Sequence, residues 1–183
     1  MEARAEPHPL AQLPNALTIA RLVLIPVFVV LMIQAGHSPS WSAGVVFFVA
    51  GATDQLDGYL ARLWHVESRF GKLADPLADR LMIDAAVILL FAYDRLPWVG
   101  LAVIVARDAV LLAGSAFLVP RGVEVDVNLI GKAATWVLYA AIFWRIVLAP
   151  STTWPVDLFW GGLALAVLAS VFYVRTAWGG LKR

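Results

Sequence analysis

The sequence predicts an all-α integral membrane protein, with six transmembrane helices in one compact bundle. Three observations predict it. Hydrophobic residues make up 61% of the 183-residue chain, and mean hydropathy is +0.80; a soluble domain is about 45–50% apolar. Charged residues are only 15%, against roughly 25% in soluble proteins. The apolar residues also fall into separate stretches, each near the roughly 20 residues that carry a helix across a bilayer. A net charge of +1 gives no case for a nucleic-acid partner. The absence of cysteine removes disulfides, thiolate metal sites and thiol catalysis.

The elements follow in chain order. Residues 1–13 read as a surface segment, because Met1 to Pro14 contains Glu2, Arg4, Glu6 and three prolines; this does not have the form of a cleavable signal. A single domain then covers 14–183. The first span is Leu17 to Ile33, closed by Gly36 and Pro39. The second is Trp41 to Arg62 and the third Leu73 to Tyr93. The fourth runs from Pro97 to Val119, stopped by Pro120-Arg121-Gly122. The fifth runs from Leu129 to Ala149, before Pro150, and the sixth from Val156 to Trp178, before Gly179-Gly180. Short connections make consecutive spans antiparallel neighbours.

Basic residues set the orientation. Arg4, Arg62, Arg69, Lys72, Arg121, Lys182 and Arg183 share one side, which is expected to be cytoplasmic; Arg95, His37 and Asp157 lie on the other. Trp41, Trp98, Trp154 and Trp178 stand near span ends, as an aromatic belt would place them. Each alone is equally compatible with ordinary packing.

Against this apolar background four carboxylates stand out. A charge inside the bilayer costs a few kcal/mol or more, so it needs a partner or a function. Asp54 and Asp57 are three residues apart on the second span, and Gly58 and Ala61 extend the same face. On the third span Gly71, Asp75 and Asp79 recur every four residues as one stripe. The two stripes are expected to converge at one depth. Bare, the four charges would repel strongly, so either a cation is present or several are protonated. Carboxylates without His or Cys suit hard ions such as Mg²⁺ or Mn²⁺. Two such ions could bridge a pyrophosphate and stabilise charge on a displaced phosphate. Small Gly58 and Ala61 leave room beside the helix, and Arg62 is a fixed cation suited to phosphate oxygens.

The pattern Asp54-x-x-Asp57-Gly58-x-x-Ala61-Arg62, then Gly71, Asp75 and Asp79, resembles the signature of the CDP-alcohol phosphotransferase family at every position. An N-terminal Pro14-Asn15-x-x-Thr18-x-x-Arg21 and the six spans extend the likeness over most of the chain. The resemblance implies a metal-dependent, usually dimeric enzyme of phospholipid biosynthesis. Such an enzyme sits in the bacterial cytoplasmic (inner) membrane, with its site on the cytoplasmic side. It moves the phosphate-bearing half of a CDP-linked lipid, CDP-diacylglycerol, to an alcohol and releases CMP. It implies that Asp54, Asp57, Asp75 and Asp79 ligate metal and that Asp79 is also the candidate base. Gly58, Ala61, Arg62 and Gly71 would shape the nucleotide and pyrophosphate site, approached by Thr18 and Arg21 from the first helix.

For the acceptor, Val105 to Leu112 and Val127 to Thr135 are similar to the cardiolipin synthase branch of the family. Phosphatidylglycerol is therefore the expected acceptor. Glycerol 3-phosphate, as in the phosphatidylglycerophosphate synthases, is the alternative. Arg107, Lys132 and Arg175 are the basic residues available to an acceptor; Arg107 is equally readable as the partner of Asp84 or Asp108. A cation transporter could also place carboxylates between helices, although such sites lie at the midplane beside a broken helix. A non-catalytic scaffold leaves the cost of the four carboxylates unexplained.

Overall fold

A computed structural model describes residues 12–64, 69–118 and 129–180; the side chains of 12–18, 54–64, 69–79, 112, 115–118, 129, 173–174 and 176–180 lie outside the description. The described chain is six α-helices: α1 Gln12–Ala35, α2 Trp41–Trp64, α3 Arg69–Ala92, α4 Trp98–Leu118, α5 Leu129–Val147 and α6 Trp154–Gly180. Helix α1 packs on α2 and α3, α5 on α2, α3 and α6, and α4 on α3 and α6.

Every expected span is a helix, and the bounds differ in an instructive way. Helix α1 begins at Gln12 instead of Leu17, and α3 at Arg69 instead of Leu73. Hydropathy marks only the apolar part of a helix, whereas the backbone ladder continues into polar residues beyond it. Helix α5 stops at Val147, short of the expected Ala149, because the Arg95 side chain takes up the carbonyls of Arg145, Ile146 and Leu148.

The outer surface carries the membrane signal. Val23, Val27, Val30 and Ile33 on α1, Phe48 on α2, Ile88 on α3, Val110 on α4, Trp136 on α5 and Phe172 on α6 are all exposed. Soluble monomers rarely expose contiguous apolar patches beyond a few hundred Å². Among the described residues, Ile130–Val147 and Trp154–Phe172 are each long and apolar enough to cross a bilayer alone, while Ile19–Ala35 and Trp41–Thr53 are shorter apolar runs.

Inside, Phe28 and Met32 meet Phe47, Met82, Leu90, Ile142 and Ile146 in a continuous core. The Phe28 and Phe47 rings lie 5.7 Å apart and Phe47 and Tyr139 5.1 Å apart, inside the range in which aromatic pairs attract. Two glycines permit close helix approach. A Cβ on Gly51 would stand 2.6 Å from the Tyr139 ring, and one on Gly162 would stand 3.1 Å from the Leu138 backbone nitrogen.

The end where α1, α3 and α5 finish is tied by a knot of two buried arginines. Arg95 donates to the Ser38 carbonyl at 3.2 Å and to the carbonyls of Arg145, Ile146 and Leu148. Arg145 returns a bond from Nε to the Arg95 carbonyl at 2.6 Å, and its Nη1 reaches the carbonyls of Pro150 and Thr152. Charged donors to carbonyls are among the stronger hydrogen bonds, about 1.5–3 kcal/mol each. Burial, helped by the neighbouring Arg145 charge, lowers the Arg95 pKa to about 10, so it stays charged at neutral pH. Ser40 caps α2 by accepting from the Ala43 N–H at 3.2 Å, and the Ser40 N–H itself donates to Ile146. Gly36 and Asp94 close α1 and α3 in the left-handed region, at φ of 56° and 54°.

This knot places the ends of α1, α3 and α5 beside the starts of α2, α4 and α6. Trp41, Trp98 and Trp154, all exposed, ring this end, as the sequence led one to expect. The fourth belt residue, Trp178, has its side chain outside the described residues.

Candidate active site

The carboxylate motif lies at the end of the bundle away from the knot. Asp54 and Asp57 precede the end of α2 at Trp64, and Asp75 and Asp79 follow the start of α3 at Arg69. With a rise of about 1.5 Å per residue, Asp54 and Asp79 lie about 15 Å from that end of their helices, and Asp57 and Asp75 about 10 Å. Helices α2 and α3 run antiparallel in contact, since Arg95 after α3 bonds to Ser38 before α2. The four positions therefore fall within one band of the bundle. Their side chains, with those of Thr18, Gly58, Ala61, Arg62 and Gly71, lie outside the described residues. Among the residues whose side chains are described, no group of three or more metal-binding side chains occurs.

Arg21 is fully buried on α1, the helix that packs on both α2 and α3. Its distance from the start of α1 at Gln12, about 14 Å by the same rise, matches the depth of the carboxylates. A cation at that depth needs negative charge nearby.

A second group of charges joins α3 to α4. Arg80, the residue after Asp79, donates to the Asp108 carbonyl at 3.0 Å and stands 3.8 Å from the Asp108 carboxylate. Arg107 donates to that same carboxylate at 2.8 Å. Asp108 is buried. Between Asp84 and Asp108, the two partners considered for Arg107, the structure selects Asp108. Arg80 was not singled out in the sequence, although a basic residue directly after the last motif carboxylate was a signal available there.

Two clefts open along the flanks of the bundle. One, of about 550 Å³ between α4 and α6, is lined by Val103, Ala106, Arg107, Val110, Ser170 and Arg175 among others. It brings together two of the three basic residues expected to serve an acceptor. The third, Lys132, is exposed on α5 and does not line this cleft. The other cleft, of about 430 Å³ between α2 and α5, is lined by Phe48, Gly51, Ala52, Trp136 and Tyr139 among others, and apart from the two arginines both clefts are walled almost entirely by apolar groups. Ala52 lies two residues before Asp54, so this groove runs up to the carboxylate band.

The profile of the CDP-alcohol phosphatidyltransferase family matches residues 11–172. The chain belongs to this family. It is a phosphatidyltransferase of phospholipid synthesis embedded in the membrane, and the transporter and scaffold readings fall away. Three relatives are similar over most of their length. A CDP-diacylglycerol–glycerol-3-phosphate 3-phosphatidyltransferase of Escherichia coli strain K12 is 31% identical over 93% of this chain and 91% of its own. Proteins of the same name from Bacillus subtilis and Haemophilus influenzae are each 34% identical, over 71% and 73% of this chain and 74% and 76% of theirs.

Proposed function

We propose that this CDP-alcohol phosphatidyltransferase transfers the phosphatidyl group of CDP-diacylglycerol to glycerol 3-phosphate, giving phosphatidylglycerol phosphate and CMP. The observation that carries the reading is the shared name of relatives that align with most of the chain, one of them with 93% of it. They favour glycerol 3-phosphate over phosphatidylglycerol, the acceptor first expected from the sequence. The stretches that suggested phosphatidylglycerol, Val105 to Leu112 and Val127 to Thr135, differ between the branches by few side chains. They are a weaker guide than alignment over most of the chain. The cleft beside Arg107 and Arg175 supports the reading, because two guanidiniums suit a small phosphorylated acceptor.

The chemistry of the donor set fits a hard divalent ion: carboxylates alone, from two helices, at one depth. Asp54, Asp57, Asp75 and Asp79 would hold Mg²⁺ or Mn²⁺, two ions in this reading, whose charge stabilises the pyrophosphate as CMP departs. The side chains do the rest. Arg62, Arg21 and Thr18 bind the nucleotide end, Gly58, Ala61 and Gly71 leave it room, and the apolar α2–α5 groove takes an acyl chain. The acceptor hydroxyl attacks the phosphorus that bears the lipid, and the bond from that phosphorus to the CMP oxygen breaks. The hydroxyl proton passes to Asp79. Catalysis is then mostly positioning and charge stabilisation. The carboxylate end is read as facing the cytoplasm at the bacterial inner membrane, because Arg62, Arg69 and Lys72 gather there. The homodimer implied by the family completes the reading.

The test is an acceptor competition with purified protein in CDP-diacylglycerol micelles. CMP release with glycerol 3-phosphate, abolished by chelator and restored by Mg²⁺ or Mn²⁺, is expected. Release with phosphatidylglycerol and none with glycerol 3-phosphate would reverse the assignment.

A further inference from the structure

Arg107 and Asp108 are sequence neighbours on one helix, and neighbours at that spacing do not naturally face each other. The 2.8 Å bond between them therefore requires the Arg107 side chain to fold back over its own backbone. Such a bond contributes nothing to holding α4 against another helix. What it does is fix one arginine rotamer. The side chain so fixed forms part of the α4–α6 cleft that also holds Arg175. The same carboxylate also stands 3.8 Å from Arg80 of α3, whose Nη1 donates to the Asp108 carbonyl at 3.0 Å, so Asp108 ties α4 to α3 as well. Arg107 Nε is buried with no hydrogen-bond acceptor among the described residues, so this guanidinium is not saturated by the protein around it. Arg145 has Nε and Nη1 both on backbone carbonyls, whereas Arg95 Nε shares the state of Arg107 Nε.

We propose that Asp108 is a positioning residue for the acceptor. Its carboxylate holds the Arg107 guanidinium at the α4–α6 cleft and so sets the affinity for the acceptor phosphate, while Arg80 ties that arrangement to the helix carrying Asp75 and Asp79. This rests on the glycerol 3-phosphate reading above. Long arginine side chains lose considerable rotamer freedom when they bind, and an arginine already held in place loses less.

Steady-state kinetics separates this role from a structural one. Asp108→Asn is expected to raise the KM for glycerol 3-phosphate roughly ten-fold, the scale of one charge-assisted hydrogen bond, with kcat and the KM for CDP-diacylglycerol changed less than about two-fold. Asp108→Glu, which keeps the carboxylate, is expected to recover most of the loss. Arg107→Ala should raise the same KM, and the double variant Arg107→Ala/Asp108→Asn should be no worse than Arg107→Ala alone, because both remove one interaction. If Asp108→Asn does not fold, as shown by loss of metal-dependent CDP binding, Arg107→Ala and Asp108→Glu carry the test. A fall in kcat at unchanged KM, a parallel rise in both KM values, or effects that multiply in the double variant would overturn the proposal. A wild-type enzyme without turnover on glycerol 3-phosphate overturns this proposal and the functional reading together. Turnover by the wild type with an unmoved KM in the variants overturns this proposal alone.

Discussion

The two ends of the bundle both bury arginines, and they treat them in opposite ways. At the knot, Arg95 and Arg145 are spent on backbone carbonyls of residues 38, 95, 145, 146, 148, 150 and 152. These carbonyls are the open ends of α1 and α5 and the turns beside them, groups that a membrane cannot satisfy. At the other end, Arg80 and Arg107 converge on one side-chain carboxylate, and Arg21 is buried at the depth of four more. A guanidinium bonded to backbone carbonyls stabilises a fold. One paired with a side-chain carboxylate at the wall of a cleft remains able to bind an anion. The difference teaches that burial of charge in a membrane protein does not by itself mark a site; the identity of the partner does.

Four substitutions sharpen this contrast, from the largest effect to the smallest. Asp57→Asn or Asp75→Asn is expected to lower turnover by about a thousand-fold or more, since the loss of a metal ligand removes most of the charge stabilisation. Thermal stability in detergent should change little or rise, as a repelling charge is gone. A CMP-release assay beside a melting curve checks both.

Arg95→Met should do the reverse. It strands several buried carbonyls and should cost about 3–5 kcal/mol of stability. Below the lowered Tm, specific activity per folded molecule should stay near wild type. Its pH signature is also defined. Because burial holds the folded pKa of Arg95, about 10, below its ordinary value, the burial cost is present in full below pH 10 and is relieved only as pH rises beyond it. The Tm difference between wild type and Arg95→Met should therefore be constant from about pH 6 to 9. A difference that changes across that range would point to another titrating group.

The smallest effect is expected from Gly51→Ala at the α2–α5 contact. The added methyl meets the Tyr139 ring, which can rotate away only in part, so about 1–2 kcal/mol of destabilisation is expected. Because Gly51 also lines the apolar groove, the KM for CDP-diacylglycerol should rise while that for the acceptor stays constant.

Much of this was legible in the sequence. The six apolar stretches gave the helices, since a bilayer demands length and hydropathy from each. The spacing of Asp54, Asp57, Asp75 and Asp79 placed them in one band, because helical period and antiparallel pairing suffice for that. The knot was not legible. Arg95 read as a loop charge and Arg145 as a residue without a role, because their partners are backbone carbonyls, and a carbonyl leaves no mark in a sequence. Arg80 escaped for a related reason: its pairing with Asp108 crosses from α3 to α4 and has no local spacing. The acceptor depended on a handful of side chains in α4 and α5, too few to decide between relatives.

The central claim is that the carboxylates of α2 and α3 together bind divalent metal, and electron paramagnetic resonance of Mn²⁺ tests it most directly. With CDP present, wild-type protein and Arg95→Lys should each convert the free Mn²⁺ signal to a bound one, while Asp57→Asn and Asp79→Asn should leave it free. Bound Mn²⁺ that survives both aspartate substitutions would contradict the account.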